Sequence, residues 1–226
     1  MTSIKLAVFD VDGTLVDSRS SILHAATEAA HAVGIEPPDY NQVRAIVGLS
    51  LFEAIVSMLP QHDTATHTAF MQAFQAVFTR RANESEPHET LYDGADDLLR
   101  ALKSEGWLIG MATGQSRRGV NRCLAGNDWH DLFDVTFCAD DGPSKPHPHM
   151  LQANLKALGV VPHQAVMIGD TGHDMRMARE ADVRAIGVSW GFHTAEELQL
   201  AGSHEIVDDF IALRRVLNAF APRVLT

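Results

Sequence analysis

The stretch LAVFDVDGTLVDS, residues 6–18, decides how the chain is read. Its first four residues, Leu6-Ala7-Val8-Phe9, are apolar without alternation, as in a strand buried on both faces. They run straight into Asp10 and Asp12, then Gly13 and Thr14. Asp and Gly are ordinary turn residues, so a strand end followed by a solvated turn would account for the change. Carboxylates beside a core, however, are costly unless something pairs with them. Whether such partners exist has to come from the rest of the chain.

From about Trp107 onward, short apolar runs alternate with helix-like segments. The runs are WLIGMA, VTFC, AVMIGD, RAIGVSW and EIVDD; between them lie SRRGVNRCLAG, PHMLQANLKALG, HDMRMAREA and TAEELQLAG. This rhythm predicts an α/β fold, a mainly parallel sheet covered by helices on both faces, with residues 6–10 as a further strand. Gly106 and Gly159 follow helical patterns as C-terminal caps, and Thr194 with Glu197 has capping-box spacing.

Between residues 18 and 90 the rhythm is helical throughout. Ile22, Leu23, Ala26, Ala30 and Val33 recur at helical spacing up to Gly34. Ser50 and Glu53 open SLFEAIVSML with a capping-box spacing, and Phe70, Phe74, Val77 and Phe78 make one apolar face, expected to be plain core. The expected organisation is an α/β core of residues 1–17 and 91–226, interrupted by an all-helical insert of residues 18–90 that returns near HETLYDG.

Composition sets the outer limits. With 226 residues, 46% hydrophobic and 21% charged, the chain has the make-up of a globular protein. A formal net charge of -11 argues against a polyanion-binding surface. The pairs Arg80-Arg81, Arg117-Arg118 and Arg214-Arg215 are expected on solvated helix faces. Cys123 and Cys138 form no disulfide framework. No signal-peptide pattern precedes the first strand, and no apolar run reaches the length of a bilayer span. The expectation is a cytoplasmic protein with neither a nucleic-acid nor a membrane partner, as a monomer or a homodimer.

In an open parallel sheet, binding groups gather at the carboxyl ends of the strands. One edge would then collect Asp10 and Asp12, Thr113 and Gly114 from WLIGMATGQS, Lys145 from DDGPSKPHP, and Asp170 with Asp174 from AVMIGDTGHD. Several carboxylates without a counter-charge suit a hard cation, and Mg²⁺ takes a few carboxylates plus water and phosphate oxygens. Twelve histidines are present, but His147 and His149 make no accepted zinc spacing with an acid or cysteine, and with His173 they are expected in surface or supporting roles. Beside a metal, Asp10 is a candidate nucleophile toward phosphorus and Asp12 a candidate acid and base. Thr113 would bond the phosphoryl oxygens, and Lys145 would stabilise their charge while orienting Asp10.

These residues resemble the four motifs of the haloacid dehalogenase-like phosphohydrolases: DVDGTLVDS, Thr113 in ATGQS, Lys145 in SKPHP, and GDTGHDMRMA. The resemblance covers essentially the whole chain. A helical insert directly after the first motif, with the later VSWGFHTAEEL, resembles the subgroup that includes phosphoglycolate phosphatases. It implies a Rossmann-like core under a mobile helical cap, and Mg²⁺-dependent hydrolysis of a small phosphorylated metabolite, 2-phosphoglycolate being one candidate. By the same resemblance Asp10 is nucleophile and metal ligand, and Asp12 acid/base and ligand through its backbone carbonyl. Asp170 is a direct ligand, Asp174 holds metal-bound water, and Thr113, Gly114 and Lys145 bind phosphate. Thr14 would stabilise the loop.

The residues weigh on the alternatives. A haloacid dehalogenase needs no second aspartate in the first motif, yet Asp12 is present. A phosphonoacetaldehyde hydrolase needs a lysine in the insert, and the lysines are Lys5, Lys103, Lys145 and Lys156. A sugar-phosphate mutase of the β-phosphoglucomutase kind is disfavoured by the same absence. A non-catalytic interaction module on this fold would not need Asp10, Asp12 and Lys145. Arg19, Arg44, the stretch around Gly48 and Gln115 are candidates to face the leaving group, an arginine being suited to a carboxylate.

Overall fold

Residues 6–9 are a strand because nothing in them asks for water: all four are buried, and both faces of the sheet are covered. A computed structural model of the chain describes residues 4–81 and 90–221. Strand β1 (Leu6–Phe9) is followed by the short strand β2 (Val16–Asp17) and four helices, α1 (Arg19–Val33), α2 (Tyr40–Arg44), α3 (Leu51–Met58) and α4 (Thr64–Arg81). The chain re-enters through β3 (Thr90–Leu91), antiparallel to β2, so a two-stranded ribbon carries both connections to the helical segment. His88 and Glu89, at the start of the expected return, lie outside the described residues.

Alternating elements complete the sheet: α5 (Ala95–Ser104), β4 (Leu108–Ala112), α6 (Arg117–Asn127), β5 (Val135–Phe137), α7 (His149–Leu158), β6 (Ala165–Gly169), α8 (Gly172–Glu180) and β7 (Arg184–Val188). They end in α9 (Ala195–Leu200), β8 (Glu205–Val207) and α10 (Phe210–Ala219). All pairings among the six strands are parallel, in the order β5-β4-β1-β6-β7-β8. Growth reverses direction about β1, so the crevice at its carboxyl end is where an open sheet of this kind binds ligands.

Alternation along β1 builds the layers. Ala7 and Phe9 pack with Leu99, Trp129 and Leu213, while Leu6 and Val8 pack with Leu151, Met175 and Leu155 on the opposite face. The four helices after β2 have a core of their own, around Ala26, Ala30, Ile55 and Phe70. Helix α1 stops at Gly34, whose left-handed backbone lets its N–H donate to the carbonyls of Ala30 and His31. Ser50 does cap α3, but without the expected capping-box bond. Its hydroxyl donates to Glu53 (2.8 Å), while its N–H is drawn to Ser144 of the α/β core (2.6 Å). No described helix is long and apolar enough to cross a membrane.

Candidate active site

The sheet delivers its chemistry at one edge. Asp10 directly follows β1, and its N–H still donates to Ile168 of β6 (2.9 Å), so the ladder fixes its backbone. Gly13 then reverses the chain with φ +81°, and a Cβ there would run into the carboxylate of Asp170. Thr113 follows β4, and Lys145 comes from the loop between β5 and α7. Asp170 follows β6, and Asp174 sits in the first turn of α8, whose N-cap is Thr171.

Asp10, Asp170 and Asp174 are buried and offer oxygens within 4.8 Å of one another. Lys145, also buried, brings its ammonium to 2.8 Å from Asp10 Oδ1 and 2.6 Å from Asp174 Oδ1. The Thr14 hydroxyl donates to Asp170 Oδ1 (3.0 Å) and the Phe192 N–H to its Oδ2 (2.7 Å). Thr171 donates to Asp174 Oδ2 from its hydroxyl (2.6 Å) and its N–H (3.1 Å). The second oxygen of Asp10 is left with no hydrogen-bond partner among the described residues. Buried acceptors in that state are rare, and each calls for a ligand, an ion or a reaction.

Three carboxylates face one ammonium, and all four groups are buried. Burial pushes Asp10 well above the usual carboxylate range; Lys145 offsets part of this, while Asp174 and Asp170 add to it. Asp170 is pushed up to about 7, by burial first and by Asp174 second. For Lys145, burial works toward the neutral amine, but Asp10 and Asp174 outweigh it and hold the ammonium above the usual lysine range. The carboxylate of Asp12 stands outside the three-acid group. It is half-buried, accepts from the Gln115 amide (2.8 Å), and is raised by burial against that bond. Thr113 is buried, its N–H on Phe137 O (3.1 Å) and its hydroxyl accepting from the Gln115 N–H (3.2 Å).

Residues 7–188 match the family described as haloacid dehalogenase-like hydrolase. The chain belongs to the haloacid dehalogenase-like hydrolases. Among relatives, it is 35% identical to a protein of Dickeya dadantii named "Probable phosphatase IndB", over 91% of this chain and 90% of that one. A phosphoglycolate phosphatase of Psychrobacter arcticus is 28% identical, over 92% and 94%. The pyrophosphatase PpaX of Bacillus cereus is also 28% identical, over 83% and 84%.

In this haloacid dehalogenase-like hydrolase the helical segment packs against the loops that carry the acids. Arg44 makes a two-pronged ion pair with Glu197 (2.8 and 2.9 Å) and reaches Phe192 O (3.1 Å). His173 Nε2 meets Ala45 O at 3.2 Å. Gly114 also faces this segment: a Cβ there would collide with the carbonyl of Leu49 and come within 2.8 Å of Gly48 O. Gly114→Ala is therefore expected to leave the thermal midpoint nearly unchanged while cutting kcat/KM by about 10–100-fold, because the segment cannot seat. Unchanged steady-state kinetics would show that this approach is irrelevant to turnover.

Several sequence expectations meet different partners. Arg19 is taken by Asp17 (2.6 and 2.8 Å) and Arg44 by Glu197, so neither guanidinium is free for a substrate carboxylate. Phe70 and Val77 are core, but Phe74 and Phe78 are half-buried and line a cleft between the helices and the sheet edge. Arg118 is exposed, as expected of a solvated face, and borders that cleft with the exposed Arg122, while Arg117 pairs with Asp141. Of the histidines, His147 and His149 bond within their own loop, away from the acids. Gln115 holds Asp12; the sequence signal for that was only its place beside Thr113.

Proposed function

We propose that the chain is a Mg²⁺-dependent phosphomonoesterase working through a phosphorylated Asp10. The observation that carries this reading is the unpartnered Asp10 Oδ2, held on a strand end beside a buried lysine. That oxygen attacks phosphorus, and the bond from phosphorus to the substrate's alcohol oxygen breaks. Asp12, with its raised pKa, gives the departing oxygen a proton, then takes one from the water that attacks the acyl phosphate. Phosphate leaves and Asp10 is regenerated. Lys145 holds Asp10 in line and, with the Thr113 hydroxyl and the Gly114 backbone, binds the phosphoryl oxygens.

The donor set fits the cation. Three buried carboxylates with one ammonium leave two negative charges in surplus, which a divalent ion bound by oxygens would cancel. Asp10, Asp170 and Asp174 would hold it, with the backbone carbonyl of Asp12. When bound, Mg²⁺ neutralises the charge between nucleophile and phosphoryl group.

Residues 18–90 act as a cap hinged on the β2–β3 ribbon, closing through Arg44–Glu197 and Ser50–Ser144 to exclude water. We place the enzyme in the cytoplasm, which a chain with two cysteines and no disulfide framework fits. The test is phosphate release from a panel of phosphomonoesters, including 2-phosphoglycolate, sugar phosphates and nucleotides, with pyrophosphate as the anhydride control. Turnover with Mg²⁺ and its loss in EDTA are expected; turnover undiminished in EDTA would contradict the metal dependence.

A readout without turnover checks the ion itself. At a hundredfold excess over Kd, Mg²⁺ should stabilise by about 2.7 kcal/mol, a rise of roughly 5–10 °C in Tm. The sign of its pH dependence follows from Asp170. The folded chain keeps that proton up to about 7, while the unfolded chain releases it near the ordinary 3.8. Metal-free stability therefore falls as pH rises through that window, and the ion must displace the proton to bind. The Mg²⁺ shift is expected to be larger at about pH 8 than at about pH 5, and to be nearly absent in Asp170→Asn. An equal shift in that variant would put the ion elsewhere.

A further inference from the structure

Arg118 and Arg122 lie four residues apart on α6, so they share one face of it. Among the described residues neither has an ion-pair or hydrogen-bond partner, although the chain holds 29 acidic side chains against 18 basic ones. Like charges so spaced repel, and the acids of the same cleft, Asp12 and Asp140, are bonded to Gln115 and to the Arg117 N–H instead. Both border the cleft beneath the helical segment, and the charge of Arg122 is felt at Asp12, at the reacting end. The other arginines considered for a substrate anion, Arg19 and Arg44, are already held by acids.

The cleft has a volume of about 1260 Å³, above the roughly 300–1,000 Å³ usual for a small-molecule site. A two-carbon leaving group such as glycolate would fill a small part of it. Ile22, Met71, Phe74 and Phe78 supply an apolar wall from the helical segment. Apolar surface and two unpaired guanidinium groups in one cleft ask for a ligand with both characters. We infer that the leaving group of the substrate carries an apolar body and a second anionic group, a carboxylate or a second phosphate, received by Arg118 and Arg122. This rests on the phosphomonoesterase reading above and gives that site its substrate class.

A matched series tests it with the whole protein and Mg²⁺: phenyl phosphate, 4-carboxyphenyl phosphate, 1,4-phenylene bisphosphate and 2-phosphoglycolate. At least one of the two anionic aryl esters should exceed both phenyl phosphate and 2-phosphoglycolate by about tenfold or more in kcat/KM, mostly through KM. Which aryl ester leads tells carboxylate from phosphate. Arg118→Gln with Arg122→Gln should remove that preference, read as the ratio of kcat/KM for the anionic ester to that for phenyl phosphate, while the lysine pair at the same positions should keep part of it. Two results would overturn the inference alone: turnover without the preference, or the preference intact in the glutamine double variant. If no ester is turned over, the phosphomonoesterase reading fails and the inference falls with it.

Discussion

Asp10→Asn is expected to remove turnover, by on the order of 10⁵-fold or more in kcat, while the protein stays folded. A neutral amide cannot attack phosphorus, and no other described side chain offers a buried, unpartnered oxygen beside Lys145. The substitution is nearly isosteric and takes a charge out of a buried place where burial already disfavours it. In the absence of Mg²⁺, the Tm should therefore hold or rise. A variant with near-normal kcat would rule out covalent chemistry at this residue. A variant that unfolds would show that the carboxylate is chiefly structural.

Lys145→Met is expected to damage both turnover and stability. The ammonium is the sole positive charge within contact distance of Asp10 and Asp174 among the described residues, and all three are buried. Removing one partner of such a cluster strands the others, at a cost of about 3–5 kcal/mol. The loss should be larger at about pH 8 than at about pH 5, since raised carboxyls such as Asp170 can take up a proton at the lower pH. The fall in kcat should reach about 10²–10³-fold, the scale of losing one charge-stabilising donor. Unfolding midpoints across pH and steady-state kinetics check the two halves separately. Unchanged kinetics would remove Lys145 from the phosphate site.

Much of the fold was legible because its signals are local. Leu6 to Phe9 could only be a fully buried strand, and the alternation after Trp107 led to a parallel sheet whose loops must share an edge. That topology brought Asp10, Lys145, Asp170 and Asp174 together without any knowledge of distances. Side-chain partners were not legible, because they depend on folding at long range. Arg44 looked free until Glu197, 153 residues away, closed on it. Ser50 and Glu53 carried the right spacing for a capping box, but a serine of the α/β core took the backbone N–H instead. The Phe face of α4 divides between core and cleft, a division that helical periodicity cannot make, since both sides are lined by apolar side chains. Arg118 is exposed, as a charge on a helix face implies, but the sequence could not show that its face borders the cleft.

The most direct test is to trap the intermediate. The protein with Mg²⁺ is mixed with a substrate that it turns over, quenched in acid within the first turnovers, and reduced with borohydride. An acyl phosphate at Asp10 is converted to homoserine, which peptide mass spectrometry locates. Homoserine at position 10, absent without substrate, is the expected result. Full turnover with no reduced residue, or with the label at Asp12, Asp170 or Asp174 instead, would contradict Asp10 as the nucleophile.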